Sequence, residues 1–160
     1  MTITHHQVNQ PGPTDKIYFY PKEYYVFDNF SSFQVEWQGV LWPTSEHAFQ
    51  AVGFFDTAPD VYEKIKLTRS AHDAQKIAHE NKDKLPAEWD KINVGIMMDI
   101  LRHKIDQHPY VLKKLLQSGD REIIEDSWRD PVWGWGEHQD GQNLLGKIWM
   151  ELRKEYQSKK

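Results

Sequence analysis

Two short stretches of this sequence collect side chains that can do chemistry. The first is Trp42-Pro-Thr-Ser-Glu-His47. Thr44 and Ser45 offer cap chemistry, and Glu46 falls in the first turn of the helix that they start. A helix start has free backbone N–H groups and a field that favours anions. A carboxylate there can hold a ligand diol or a glycosidic nitrogen, or it can serve only to complement the helix dipole. The second stretch is Asp130-Pro-Val-Trp-Gly-Trp-Gly136, followed by Gly141 and Gln142-Asn143. Glycine lets backbone come close to a ligand, and a loop feeding a helix start can cradle phosphate. Gly134, Gly136 and Asn143 are therefore read as ligand contacts, with Trp133 able to stack on a base and Asp130 able to balance positive charge. The competing reading is a tight turn with its Trp side chains packed on the core. Trp89 is a third candidate, as a pocket wall or as a core anchor.

Several chemistries are excluded. The chain has no cysteine, so thiolate nucleophiles, disulfides and cysteine metal sites are out. His72 and His79 are seven residues apart and His103 and His108 five apart, which is not the i, i+4 spacing of a zinc helix. No metal or other cofactor is expected. Ser31 and Ser32 lack a nucleophile elbow, and the glycines follow neither the Rossmann nor the Walker spacing. With 20 Lys and Arg against 24 Asp and Glu, the net charge of −4 argues against a general nucleic-acid binder, though not against a local basic pocket.

These residues need elements to position them. The 160 residues suit one domain, against a prior of ~100–200 residues per domain. Residues 1–15 are polar and read as a flexible leader, with 16–160 as a single domain. They lack the apolar core of a signal peptide, and no apolar run reaches a membrane span, so a cytoplasmic location is expected. An aromatic strand is predicted over 16–20, two short strands over 34–42 with Gln38-Gly39 as the turn, and a strand over 122–125. Helices are predicted from Ser45 to near Phe55, over 59–68, over 71–81 capped by Ser70, over 86–107, over 110–117 and over 143–157. Ile92, Ile96, Ile100 and Ile105 are the expected inner positions of the longest helix. The sum is a helix-rich α+β fold, a small aromatic β-sheet surrounded by five or six helices.

Taken in order, these segments resemble the NADAR family, also called YbiA-like and named for NAD and ADP-ribose. The resemblance rests on Ile17-Tyr-Phe-Tyr20, Asp28-Asn-Phe30, Trp42-Pro-Thr-Ser-Glu-His-Ala-Phe-Gln-Ala51, and Trp89 with Met97 eight residues on. It continues through Gln107-His-Pro109, Gly119-Asp, Ile124-Glu-Asp126, Asp130-x-x-Trp-Gly134, Asn143-x-Leu-Gly146 and Met150-Glu-Leu-Arg153. It implies an N-glycosidase that hydrolyses ribosyl C1′–N bonds. The expected substrates are ADP-ribose on guanine, in nucleosides or modified nucleic acid, or phosphoribosylamino-pyrimidine intermediates of riboflavin synthesis. It implies Glu46 and Asp130 as catalytic residues, with Asn29, Trp89, Trp133 and Asn143 at the ligand. Four positions depart from the family pattern, with Glu137 and Gln139 standing where glycine is frequent. Gly53 stands where a lysine is usual, and Asn93 where Lys or Arg follows the helix Trp. They leave open a non-catalytic module that binds ADP-ribose or NAD.

Overall fold

The middle of the chain builds on a hairpin. In the computed structural model, which describes residues 16–19 and 23–159, β2 (Val35–Trp37) and β3 (Val40–Trp42) pair antiparallel with Glu36 opposite Leu41. The turn between them is Gln38-Gly39, with φ of 51° and 78°. Positive φ at both central residues is what a type I′ hairpin turn requires. Val35, Trp37 and Trp42 face inward and are buried. The predicted leader and Tyr20 lie outside the described residues.

Four helices follow the hairpin. They are α1 (Ser45–Val52), α2 (Pro59–Lys66), α3 (Ala71–Glu80) and α4 (Trp89–Gln107). Thr44 caps α1, its side chain accepting from the His47 backbone N–H, and Ser70 caps α3 in the same way through Asp73. Pro59 begins α2, where its missing N–H costs nothing. Helix α1 packs on α2, α3 and α4, and α4 lies against β2. With the hairpin these helices form the compact unit Asn29–His108.

Helix α4 differs from its prediction in two ways. It begins at Trp89 rather than Pro86, because the Trp89 N–H closes a tight turn on the Pro86 carbonyl at 3.0 Å. Its buried residues are Met97, Ile100, Leu101, Lys104 and Ile105, while Ile92 is exposed. The burial thus belongs to the second half of the helix.

The other compact unit takes its described residues from Met1–Asp28 and Pro109–Lys160. Here β1 (Lys16–Tyr18) pairs parallel with β4 (Glu122–Ile124), Ile17 opposite Ile123. The described strands therefore form two separate pairs rather than one sheet. Helix α6 (Leu144–Gln157) packs on β4 and on α5 (Pro109–Gln117). Buried Leu145, Ile148, Trp149 and Leu152 supply its inner face, and the Trp149 Nε1–H donates to the Phe27 carbonyl at 3.0 Å. Gly146 is obligatory at this contact, since a Cβ would collide with the Ile123 carbonyl oxygen.

Candidate active site

The unit Asn29–His108 holds Glu46, Asn29 and Trp89. Glu46 is 5% exposed, and its Oε1 accepts from Gln50 Nε2 at 2.8 Å. The bond spans one helical turn, so Glu46 and Gln50 share a face of α1, and Phe49 and Gly53 complete that face at the i+3 and i+7 positions. Trp89, at the first residue of α4, closes over it. Its ring centroid lies 5.4 Å from that of Phe49, and its edge lies against Gly53. Asn93, one turn beyond Trp89, is half-buried.

Asn29 holds this helix start in place. Its Oδ1 accepts from Ser45 Oγ at 3.0 Å, its carbonyl accepts from the Glu46 N–H at 3.2 Å, and its Nδ2 donates to Met97 Sδ. His47, although adjacent to Glu46 in sequence, is wholly buried. Its Nε2 faces the Thr68 carbonyl at 3.2 Å and its Nδ1 faces Thr44 Oγ1 at 2.8 Å. A carbonyl only accepts, so Nε2 carries the proton and Nδ1 receives the Thr44 hydroxyl proton. Burial lowers the His47 pKa, partly opposed by the Thr68 bond. The ring is therefore a neutral structural strut. Lys104 is also fully buried, bonding Ser31 Oγ at 3.2 Å beside the Phe33 ring, whereas Lys91 is exposed.

Asp130, Trp133, Gly134, Gly136 and Asn143 come together in the loop before α6, in the other unit. Asp130 Oδ1 accepts from the N–H groups of Val132 and Trp133, at 2.9 and 2.8 Å, which folds the turn. Gly134 N–H donates to the Asp130 carbonyl, Gly136 N–H to the Ser127 carbonyl and Asn143 N–H to the Gly134 carbonyl. These three donors are thus committed inside the loop. The glycines are needed sterically: a Cβ on Gly134 would meet the Glu125 carbonyl at 2.9 Å, and Gly136 has a φ of 73°. The Asn143 side chain accepts from the Glu125 N–H and donates to the Ile123 carbonyl, pinning the start of α6 to the β4 segment. Trp133 is half-buried, and Trp135 donates to Asp126 while packing on Tyr18. Among the described residues no group of three His, Asp or Glu side chains is placed to hold a metal.

A model of the NADAR domain matches residues 18–157. The chain belongs to the NADAR family. It is similar to the N-glycosidase YbiA of Escherichia coli, 33% identical over 133 residues that cover 83% of this chain and 82% of the relative. An N-glycosidase of Nostoc punctiforme is 33% identical, covering 87% of this chain and 91% of the relative. A riboflavin biosynthesis protein of Vibrio vulnificus is 36% identical over 143 residues, 88% of this chain but 38% of that protein. The NMR structure of E. coli YbiA superposes with a TM-score of 0.82 at 32% identity, covering 91% of this chain and 88% of that one. The helix-rich α+β expectation therefore holds for this NADAR chain. No helix among its described residues is long and apolar enough to cross a membrane.

Sequence reasoning misses Gln50. It also misses a polar stripe on α3, His72, Gln75, Lys76 and His79, which faces a cleft that Gln50 also lines. The signal for the stripe is its three- and four-residue spacing.

Proposed function

We propose that this N-glycosidase, a hydrolase of N-glycosyl bonds, cuts a ribosyl C1′–N bond, with ADP-ribose on guanine as its first substrate class. The observation that carries the reading is the Glu46 carboxylate, withdrawn from solvent, held by Gln50 and set on one helix face with Phe49 beneath Trp89. Cleavage of a C1′–N bond develops oxocarbenium charge on the ribose, and a fixed carboxylate in a site that excludes water stabilises that charge. The bonding pair leaves with the nitrogen, which takes up the proton that Glu46 collects from the attacking water. Water bonds to C1′ and gives its proton to Glu46. Trp89 and Phe49 exclude other water and offer an aromatic wall. Asp130 is a positioning residue that folds its own loop, because Oδ1 is occupied by two backbone donors.

A second reading takes phosphoribosylamino-pyrimidines as substrate. It is favoured by the 36% identity to the Vibrio vulnificus protein named for riboflavin biosynthesis. Assaying both substrates separates the two readings. Glu46→Gln keeps the side-chain size and removes the proton acceptor. Turnover should fall ~100-fold or more, the lower end of general acid–base contributions. Asp130→Asn retains the acceptor oxygen and should stay active. Undiminished release of free base by Glu46→Gln would remove Glu46 from the chemistry.

A further inference from the structure

A cleft of about 480 Å³ lies between α1, α3 and residues 82–85. That volume falls within the ~300–1,000 Å³ of small-molecule sites. Seven of its nine lining residues carry polar side chains. Its floor has buried Ala78 and half-buried Leu85, but its walls are Gln50, His72, Gln75, Lys76, His79 and Lys82. Four of these, residues 72, 75, 76 and 79, stand on one face of α3. Among the described residues, no hydrogen bond or ion pair ties up the side chains of His72, Lys76, His79 or Lys82. Glu80 is the single acidic residue lining the cleft, so the two lysines leave an excess positive charge before either imidazole takes a proton. This occurs on a chain whose net charge is −4.

The cleft adjoins the proposed chemistry through one side chain. Gln50 lines the cleft and bonds Glu46 at 2.8 Å. Glu46 and Gln50 are four residues apart, a rise of ~6 Å along α1. A ribose over Glu46 therefore has its 5′ substituent within reach of the cleft. Both candidate substrates carry phosphate there, as a diphosphate in ADP-ribose and as a monoester in the phosphoribosyl compounds. Lysine ammonium groups and imidazoles are charge-assisted donors to phosphate oxygens.

We propose that this cleft is an anion subsite that seats the 5′-phosphate of the ribosyl substrate, with Lys76 and Lys82 supplying charge and His72 and His79 supplying donors. It rests on the reading of Glu46 as the ribose-facing carboxylate.

The test is NMR of the full chain with inorganic phosphate, followed by turnover. Phosphate should move the imidazole resonances of His72 and His79 and raise the melting temperature. The double substitution Lys76→Gln and Lys82→Gln should abolish both effects, while Lys64→Gln, on exposed α2 surface, should keep them. On substrate, the double variant should raise KM about tenfold, outweighing any fall in kcat, as expected for lost charged hydrogen bonds. Ribose 5-phosphate and ADP-ribose form separate arms. Tighter binding of the first assigns the cleft to a terminal monoester, and tighter binding of the second to a diphosphate. Unmoved imidazole resonances, or an unchanged KM in the double variant, would overturn the subsite while leaving the glycosidase intact. Phosphate binding in the cleft without turnover of either substrate would instead reject the functional reading.

Discussion

Gly53 acts through the side chain it lacks. A Cβ there would lie 2.6 Å from Leu85 Cδ2 and 3.2–3.3 Å from the Trp89 ring. Leu85 also lines the cleft. Any side chain at position 53 must therefore push the Leu85 methyl aside and shift Trp89, and a lysine there must displace both. Gly95 is the natural control, since it lies in α4 and a Cβ added to it would meet nothing within 4 Å. Gly95→Ala should stabilise the fold by about 1 kcal/mol, the helix propensity difference. Gly53→Ala should destabilise it by about 1 kcal/mol, because overpacking outweighs propensity. Urea midpoints at constant m-value measure both. Equal gains from the two substitutions would mean that the contact with Leu85 has no energetic weight.

At the scale of elements, the start of α1 is fixed by buried polar contacts rather than by its apolar stripe. His47 ties it to the Thr68 carbonyl just past α2, and does so as the neutral ring. Its pKa is lowered in the folded protein, chiefly by burial. The unfolded chain therefore protonates His47 first as the pH drops. Its contribution to stability is complete above about pH 6.5, the unfolded value, and is lost as the pH falls from there towards the folded value. Thermal unfolding of wild type and His47→Asn between about pH 7.5 and 5.5 isolates this effect from the other seven histidines. The wild type should lose more stability than the variant across that window, and parallel curves would refute the neutral strut. The start of α1 is legible in the sequence because Thr44, Ser45 and Glu46 are contiguous cap residues. The loop at 125–143 is legible only as a loop. The carbonyls that bind Gly134, Gly136 and Asn143 belong to residues up to nine positions away, a pairing that no local spacing reveals. Isoleucine spacing finds the buried Ile100 and Ile105 but carries the inner face of α4 too far towards Trp89, because it ignores which half of a helix has a partner. Met97, Leu101 and Lys104 lie in the half that is covered.

For the whole molecule, the relevant quantity is a charge of −4 set against one cationic cleft. A free ADP-ribosylated nucleoside brings a compact anion to that cleft. An ADP-ribosylated oligonucleotide brings the same group together with a line of backbone phosphates, which the rest of an acidic chain repels. Salt screens this repulsion over a Debye length of ~8 Å at physiological ionic strength, while the short-range contact in the cleft is screened less. The ratio of kcat/KM on the oligonucleotide to that on the nucleoside should therefore rise between about 20 and 200 mM salt. A protein that tracks the backbone behaves oppositely, losing roughly 10³-fold or more in affinity over a comparable range when it neutralises six or more phosphates. Paired assays of the two substrates across the salt series decide the matter. A ratio that falls with salt would reveal a basic track for the strand, and would make guanine within nucleic acid, rather than the free nucleoside, the favoured target.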